Sequence, residues 1–234
     1  MTQRMVIIAL DYPNADLALQ FVDKIHPEQC ALKVGFELFV SAGPPLVETL
    51  VARGFKVFLD LKFHDIPNTV AHACSAATEL GVWMINVHAS GGIPMMQAAR
   101  EAVDKFDAQQ QPLLIAVTVL TSMNQQTLGS IGINNDVRQV VSQWASMAEQ
   151  VGLDGVVSSA QEAAQIREQS NSDFVIVTPG IRMPTDSKDD QHRIVSPADA
   201  LTLGVTHIVV GRPITQAQHP CAALEAFLEA FTRA

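Results

Sequence analysis

Apolar and polar positions alternate in blocks along this chain, a short apolar run followed by an amphipathic stretch, and the blocks recur from end to end. Residues 5–10 form an unbroken apolar run, the pattern of a strand buried on both faces. Asn14 then caps a helical pattern over residues 15–25. The same rhythm predicts strand 30–34 and helix 44–53, then strand 56–62 and helix 68–80 stopped at Gly81. It continues with strand 83–88 and helix 93–106, strand 113–120 and helix 136–151, strand 155–158 and helix 160–169, and strand 174–178. A polar segment follows. Ser196-Pro197-Ala198-Asp199 then opens a short helix, with serine as N-cap and proline at the first helical position. Strand 207–210 and helix 221–232 complete the series.

Eight strand–helix units in 234 residues predict an α/β fold, a (β/α)8 barrel forming a single catalytic domain over residues 1–234. A doubly wound open sheet is the alternative, and periodicity alone does not separate the two. The count of eight favours the barrel, as do polar groups spread over the ends of several strands.

The third strand carries the sharpest chemical signal. Side chains alternate across a strand, so Asp60 and Lys62 share a face with Phe58, while Val57, Leu59 and Leu61 take the other. A lysine and an aspartate on a buried strand are costly unless paired. Asp65 adds a third charge as the strand ends. Charges at the C-terminal ends of strands are where barrel enzymes place their chemistry. Other strand ends add to the set. Asp11 follows the first strand on the face of Ile7 and Ala9, and Lys33 shares a face with Ala31 and Gly35. His88 ends the fourth strand, Thr121 and Ser122 follow the fifth, Pro179 and Arg182 the seventh, and Gly211 and Arg212 the eighth. Asp65 aside, two lysines, two aspartates and two arginines thus converge on one rim. Singly, each reads as a structural ion pair; together they read as an active site.

Composition narrows the ligand. The formal net charge of -9 argues against nucleic acid or an anionic membrane as a partner, yet allows a small anion held by local cations. The three cysteines, Cys30, Cys74 and Cys221, have no CxxC spacing and suit a reducing compartment. No signal-peptide pattern precedes the first strand, and no apolar run is long enough to cross a bilayer, so the cytoplasm is the expected location.

The segment Asp60-Leu61-Lys62-Phe63-His64-Asp65-Ile66-Pro67-Asn68-Thr69 resembles the signature of the orotidine 5'-phosphate decarboxylase family. Further matches run in order along the chain: Ala9-Leu10-Asp11, Leu32-Lys33-Val34-Gly35, Val117-Thr118-Val119-Leu120-Thr121-Ser122, Thr178-Pro179-Gly180-Ile181-Arg182, Asp190-Gln191-His192-Arg193 and Val210-Gly211-Arg212-Pro213-Ile214. The resemblance implies a lyase of pyrimidine biosynthesis that needs no cofactor and no metal. It converts orotidine 5'-phosphate to uridine 5'-phosphate and carbon dioxide. Lys62 is then the donor that protonates the ring carbanion, in the alternating array Lys33, Asp60, Lys62 and Asp65. Carboxylates on either side favour its ammonium form, the state of a proton donor rather than of a Schiff-base lysine.

By the same resemblance, Asp11 and Lys33 hold ribose hydroxyls, and Thr121 and Ser122 face the base. Pro179, Arg182, Gln191, Gly211 and Arg212 complete the substrate site, with the phosphate near the last two strands. Asp65, Ile66 and Thr69 are expected to reach the site of a second copy in a homodimer. The polar segment 182–194 reads as a surface loop or as a lid that closes on bound phosphate; the lid is favoured, since remote binding energy then helps organise the reacting end. Two other readings stand beside this one. His64 and His88 lie near rim acids, so a metal-dependent sugar-phosphate decarboxylase or epimerase on the same barrel is the runner-up. A silent barrel that only binds a nucleotide is the third. His26, His72 and His219 fall on helices or loops and carry no expected chemistry.

Overall fold

The apolar runs become eight parallel strands that hydrogen-bond in chain order and close on themselves, as expected, in a computed structural model describing residues 4–184 and 195–232. The strands are β1 (Met5–Ala9), β2 (Ala31–Val34), β3 (Lys56–Phe63), β4 (Met84–His88), β5 (Leu113–Val117), β6 (Gly155–Val157), β7 (Val175–Thr178) and β8 (His207–Val210). Helices α1 (Ala15–Val22), α2 (Phe36–Ala52), α3 (Pro67–Glu79) and α4 (Gly92–Val103) follow the first four. The second half carries α5 (Gln125–Ser130), α6 (Val137–Gln150), α7 (Ala160–Gln169), α8 (Pro197–Thr202), α9 (Arg212–Thr215) and α10 (Pro220–Thr232). Among the described residues, no helix is long and apolar enough to cross a membrane.

Two apolar layers result from strand alternation. Ile7, Ala31, Phe58, Met84, Ile115 and Val177 point inward and fill the barrel. Their neighbours Ile8, Leu32, Leu59, Ile85 and Ile176 point outward and pack beneath the helices. Most strand residues are therefore dry on both faces, which is why most strands read as unbroken apolar runs; β3 departs from this, with Lys56 exposed at its start and Leu61, Lys62 and Phe63 half-buried at its end.

Several boundaries differ from the sequence pattern, each for a local reason. Helix α2 starts at Phe36 instead of residue 44 and is kinked at Gly43, with φ 66° and ψ −170°. Pro44 and Pro45 cannot supply the amides that a continuous helix needs at that turn. Helix α5 has no counterpart in the apolar pattern because only Leu128 of its six residues is buried, which leaves no apolar stripe; Asn124 caps it by accepting the Thr127 amide at 2.9 Å. Strand β5 stops at Val117 rather than residue 120, and the Thr118 hydroxyl donates to the Val157 carbonyl at 2.8 Å. The short α9 after β8 was likewise absent from the expected elements.

Strand β3 is irregular where the charges sit. Leu59 pairs with Ile85, but Phe63 pairs with Val87, so four steps along β3 match two along β4. An excess of two residues preserves the alternation. Leu59, Leu61 and Phe63 all pack outward, as the pattern predicts.

Candidate active site

The C-terminal ends of the first three strands bring four charges into one row. Lys33 Nζ lies 3.3 Å from Asp11 Oδ1 and 3.5 Å from Asp60 Oδ2. Lys62 Nζ takes the other oxygen, Oδ1 of Asp60, at 2.6 Å. The row runs Asp11, Lys33, Asp60, Lys62 and alternates in sign. It is graded in burial: the side chains of Lys33 and Asp60 are each 12% exposed, that of Lys62 23%, and that of Asp11 66%. Lys33, Asp60 and Lys62 line a cavity over the barrel interior, closed on its other side by Val117, Val119, Thr121 and Pro179. The lining joins a few charged groups to mostly apolar side chains, the composition of a small-molecule site.

Burial by itself would raise the Asp60 carboxyl. The Lys33 and Lys62 ammonium groups, with hydrogen bonds from Lys62 and Asn86, outweigh it and hold the carboxyl below its ordinary value. Asp60 is therefore an anion at neutral pH, dry on most sides and matched by two cations. His88 at the end of β4 moves the other way. Burial lowers its ring, and His64 and Lys62 add to the effect against the pull of Asp60, so it stands neutral at pH 7. The His64 and His88 rings lie 5.5 Å apart. The described residues contain no group of three His, Cys, Asp or Glu side chains placed to hold a metal ion.

Two residues belong to this site that the pattern of charges did not reveal. Asn86, fully buried in β4, accepts the Lys62 backbone amide at 2.7 Å and donates to Asp60 Oδ1 at 2.7 Å. Its signal in the sequence was a lone amide inside the apolar run Met84-Ile85-Asn86-Val87, since a buried polar group needs partners. Phe36, the first residue of α2, holds its ring 4.9 Å from Lys62 Nζ. Nothing in the spacing of Phe36 announced that contact.

The remaining expected residues fall into separate groups. Thr121 and Pro179 line the cavity, while Ser122 is exposed beside it. Gly211 closes the rim at the end of β8. A methyl group in place of its hydrogen would sit 3.6 Å from Ala9 Cβ and 3.6 Å from Asp11 Oδ2, so the glycine brings backbone close to the row. Arg212 follows at the start of α9. Arg182 is buried, and its Nη1 donates to the Ile181 carbonyl at 2.9 Å. Asp65, Ile66 and Thr69 are exposed at the start of α3; the Asp65 carboxylate accepts the Ile66 amide at 2.7 Å. Gln191, and most of the segment 182–194, lie outside the described residues.

A closed eight-stranded barrel with its charges and cavity at the C-terminal rim defines a (β/α)8 barrel enzyme. Residues 4–227 match the family model described as "Orotidine 5'-phosphate decarboxylase / HUMPS family", and the chain belongs to that family. It is 55% identical over 223 residues to the orotidine 5'-phosphate decarboxylase of Legionella pneumophila (strain Paris), covering 95% of this chain and 97% of the relative. It is 57% identical over 221 residues to that of Pseudoalteromonas atlantica, covering 94% and 95%. The crystal structure of orotidine 5'-phosphate decarboxylase from Lactobacillus acidophilus superposes with a TM-score of 0.89 at 38% identity, covering 98% of this chain and 100% of that one.

Proposed function

We propose that this chain decarboxylates orotidine 5'-phosphate to uridine 5'-phosphate and carbon dioxide, without a metal or cofactor. The observation that carries the reading is the row Lys33, Asp60, Lys62, with an oxygen of Asp60 facing each lysine at the edge of a half-apolar cavity. The pyrimidine lies against the apolar side chains, with its carboxylate turned toward Asp60 and Lys62. Two anions in a dry site repel. The repulsion falls as the substrate carboxylate becomes neutral carbon dioxide, while attraction between Lys62 and the developing carbanion rises. The carbon–carbon bond breaks with its electron pair left on the ring carbon, and Lys62 delivers a proton to that pair. Interactions that strengthen along the reaction coordinate are those that raise the chemical rate.

Asp11 and Lys33 serve the ribose hydroxyls, and Thr121 and Ser122 the base. Arg182, Gln191, Gly211 and Arg212 serve the phosphate end. The enzyme works as a homodimer in which Asp65, Ile66 and Thr69 complete the partner's site. Support comes from the exposure of that segment and from apolar groups left open nearby: Ile66 is 67% exposed and Phe36, beside Lys62, is 55% exposed. The three cysteines are free thiols, in keeping with a reducing cytoplasm.

The test is loss of orotidine 5'-phosphate absorbance in metal-free buffer. Turnover should continue unchanged after exhaustive chelation. Complete loss with EDTA, restored by magnesium or zinc, moves the reading to the metal-dependent sugar-phosphate class.

A further inference from the structure

Among the described residues, Lys62 is the one non-glycine residue with positive φ, at 49°. L-residues avoid that conformation unless their surroundings impose it. The excess of two residues in β3 falls between Leu59 and Phe63, around Lys62, so the regular strand ladder is interrupted there. The side chain of Asn86 on the neighbouring strand takes over. Its Oδ1 accepts the Lys62 amide at 2.7 Å, and its Nδ2 donates to Asp60 Oδ1 at 2.7 Å. That same oxygen receives Lys62 Nζ at 2.6 Å. The orientation of the carboxamide is forced, because reversing it would set its NH2 against an N–H and its oxygen against a carboxylate.

We propose that Asn86 is a positioning residue for the decarboxylation: one buried carboxamide ties the backbone of Lys62 to the carboxylate of Asp60 and holds the ammonium and the anion in reacting register. It touches neither the substrate nor the transferred proton. The side chain is fully buried, so water is not on hand to replace its hydrogen bonds. Removing the carboxamide releases both the strained backbone at Lys62 and one of the contacts that orient Asp60. The inference rests on the roles given to Asp60 and Lys62 under the proposed function.

The experiment compares Asn86→Ala, Asn86→Asp and Lys62→Ala with the parent enzyme across pH 5 to 8, after circular dichroism has confirmed folding. In Asn86→Ala, kcat should fall roughly 10- to 100-fold, the cost of a small misplacement of reacting groups, while KM moves far less. Asn86→Asp has the same shape and still accepts the Lys62 amide. It donates to Asp60 only when the introduced carboxyl is protonated. Its kcat relative to the parent should therefore be low at pH 8 and climb as pH falls. A purely structural defect gives a ratio that does not change with pH, and that result overturns the proposal. So does an Asn86→Asp enzyme with parental kcat at every pH. If Asn86→Ala does not fold, the isosteric variant decides. Turnover by Lys62→Ala overturns the site reading and this inference with it; an inactive Lys62→Ala beside unimpaired Asn86 variants overturns this inference alone.

Discussion

Lys62 Nζ and Asp60 Oδ1 stand 2.6 Å apart although the two residues share one strand, two positions from each other. Side chains at that spacing in a regular strand rise from the same face about 7 Å apart at their bases and must lean together to meet. Here the left-handed backbone at Lys62 and the local excess of residues turn the lysine toward the aspartate. The pair then faces Lys33 on its other side at 3.5 Å, so the aspartate is shared.

Lys62→Ala should lose turnover by at least 10²- to 10⁴-fold, the share a positioned proton donor supplies. The barrel should stay folded, because Asp60 keeps Lys33 and Asn86 as partners. Steady-state kinetics alongside thermal unfolding checks both halves, and near-parental turnover rules out Lys62 as the donor.

Arg212→Ala should cost about 2–5 kcal/mol of transition-state binding, the cost of cutting away one partner of a charge pair that bound phosphate would shield from water. The loss in kcat/KM should shrink sharply for a substrate that lacks the phosphate. Equal losses on both substrates would place Arg212 away from the phosphate.

Lys62→Ala and Asp65→Ala should each be nearly inactive as homodimers. Mixing them should restore activity, since a heterodimer holds one site with both lesions and one with neither. Random exchange makes up to about half the dimers mixed. Exchange shown by a tagged subunit, without recovery of activity, would mean that Asp65 serves its own chain.

His207→Phe should reduce acid sensitivity. The ring of His207 lies inside the base of the barrel, stacked on Trp83 with centroids 5.4 Å apart. Burial, reinforced by Lys56 and only partly opposed by a hydrogen bond that the ring donates to the Thr206 backbone, lowers it from 6.5 to about 4. An unfolded histidine takes its proton near 6.5, so stability is intact above that pH and is lost as pH falls toward 4. The contribution lost between pH 7 and 5 is about 2 kcal/mol. Urea unfolding at the two pH values should show the variant losing less than the parent by about that amount; identical losses would remove His207 as the cause.

Much of this molecule is legible in its sequence alone. The apolar runs located all eight strands because a strand buried on both faces must be apolar throughout, a condition visible within five residues. Alternation put Phe58, Asp60 and Lys62 on one face, and the structure keeps them there in spite of the irregularity, because two extra residues restore the parity that one would have broken. The family signature pointed to the same rim. The sequence missed what depends on closure. The contact of Lys33 with Asp11 spans 22 positions, that of the Lys62 amide with Asn86 spans 24, and that of Asn86 with Asp60 spans 26. Strand-to-strand register decides those distances, and register is a property of the closed sheet. The burial of Arg182 and the placing of the Phe36 ring over Lys62 were decided in the same way. Periodicity is a local property that neighbouring residues set between them; the meeting of side chains from different strands exists only once the barrel has closed around them.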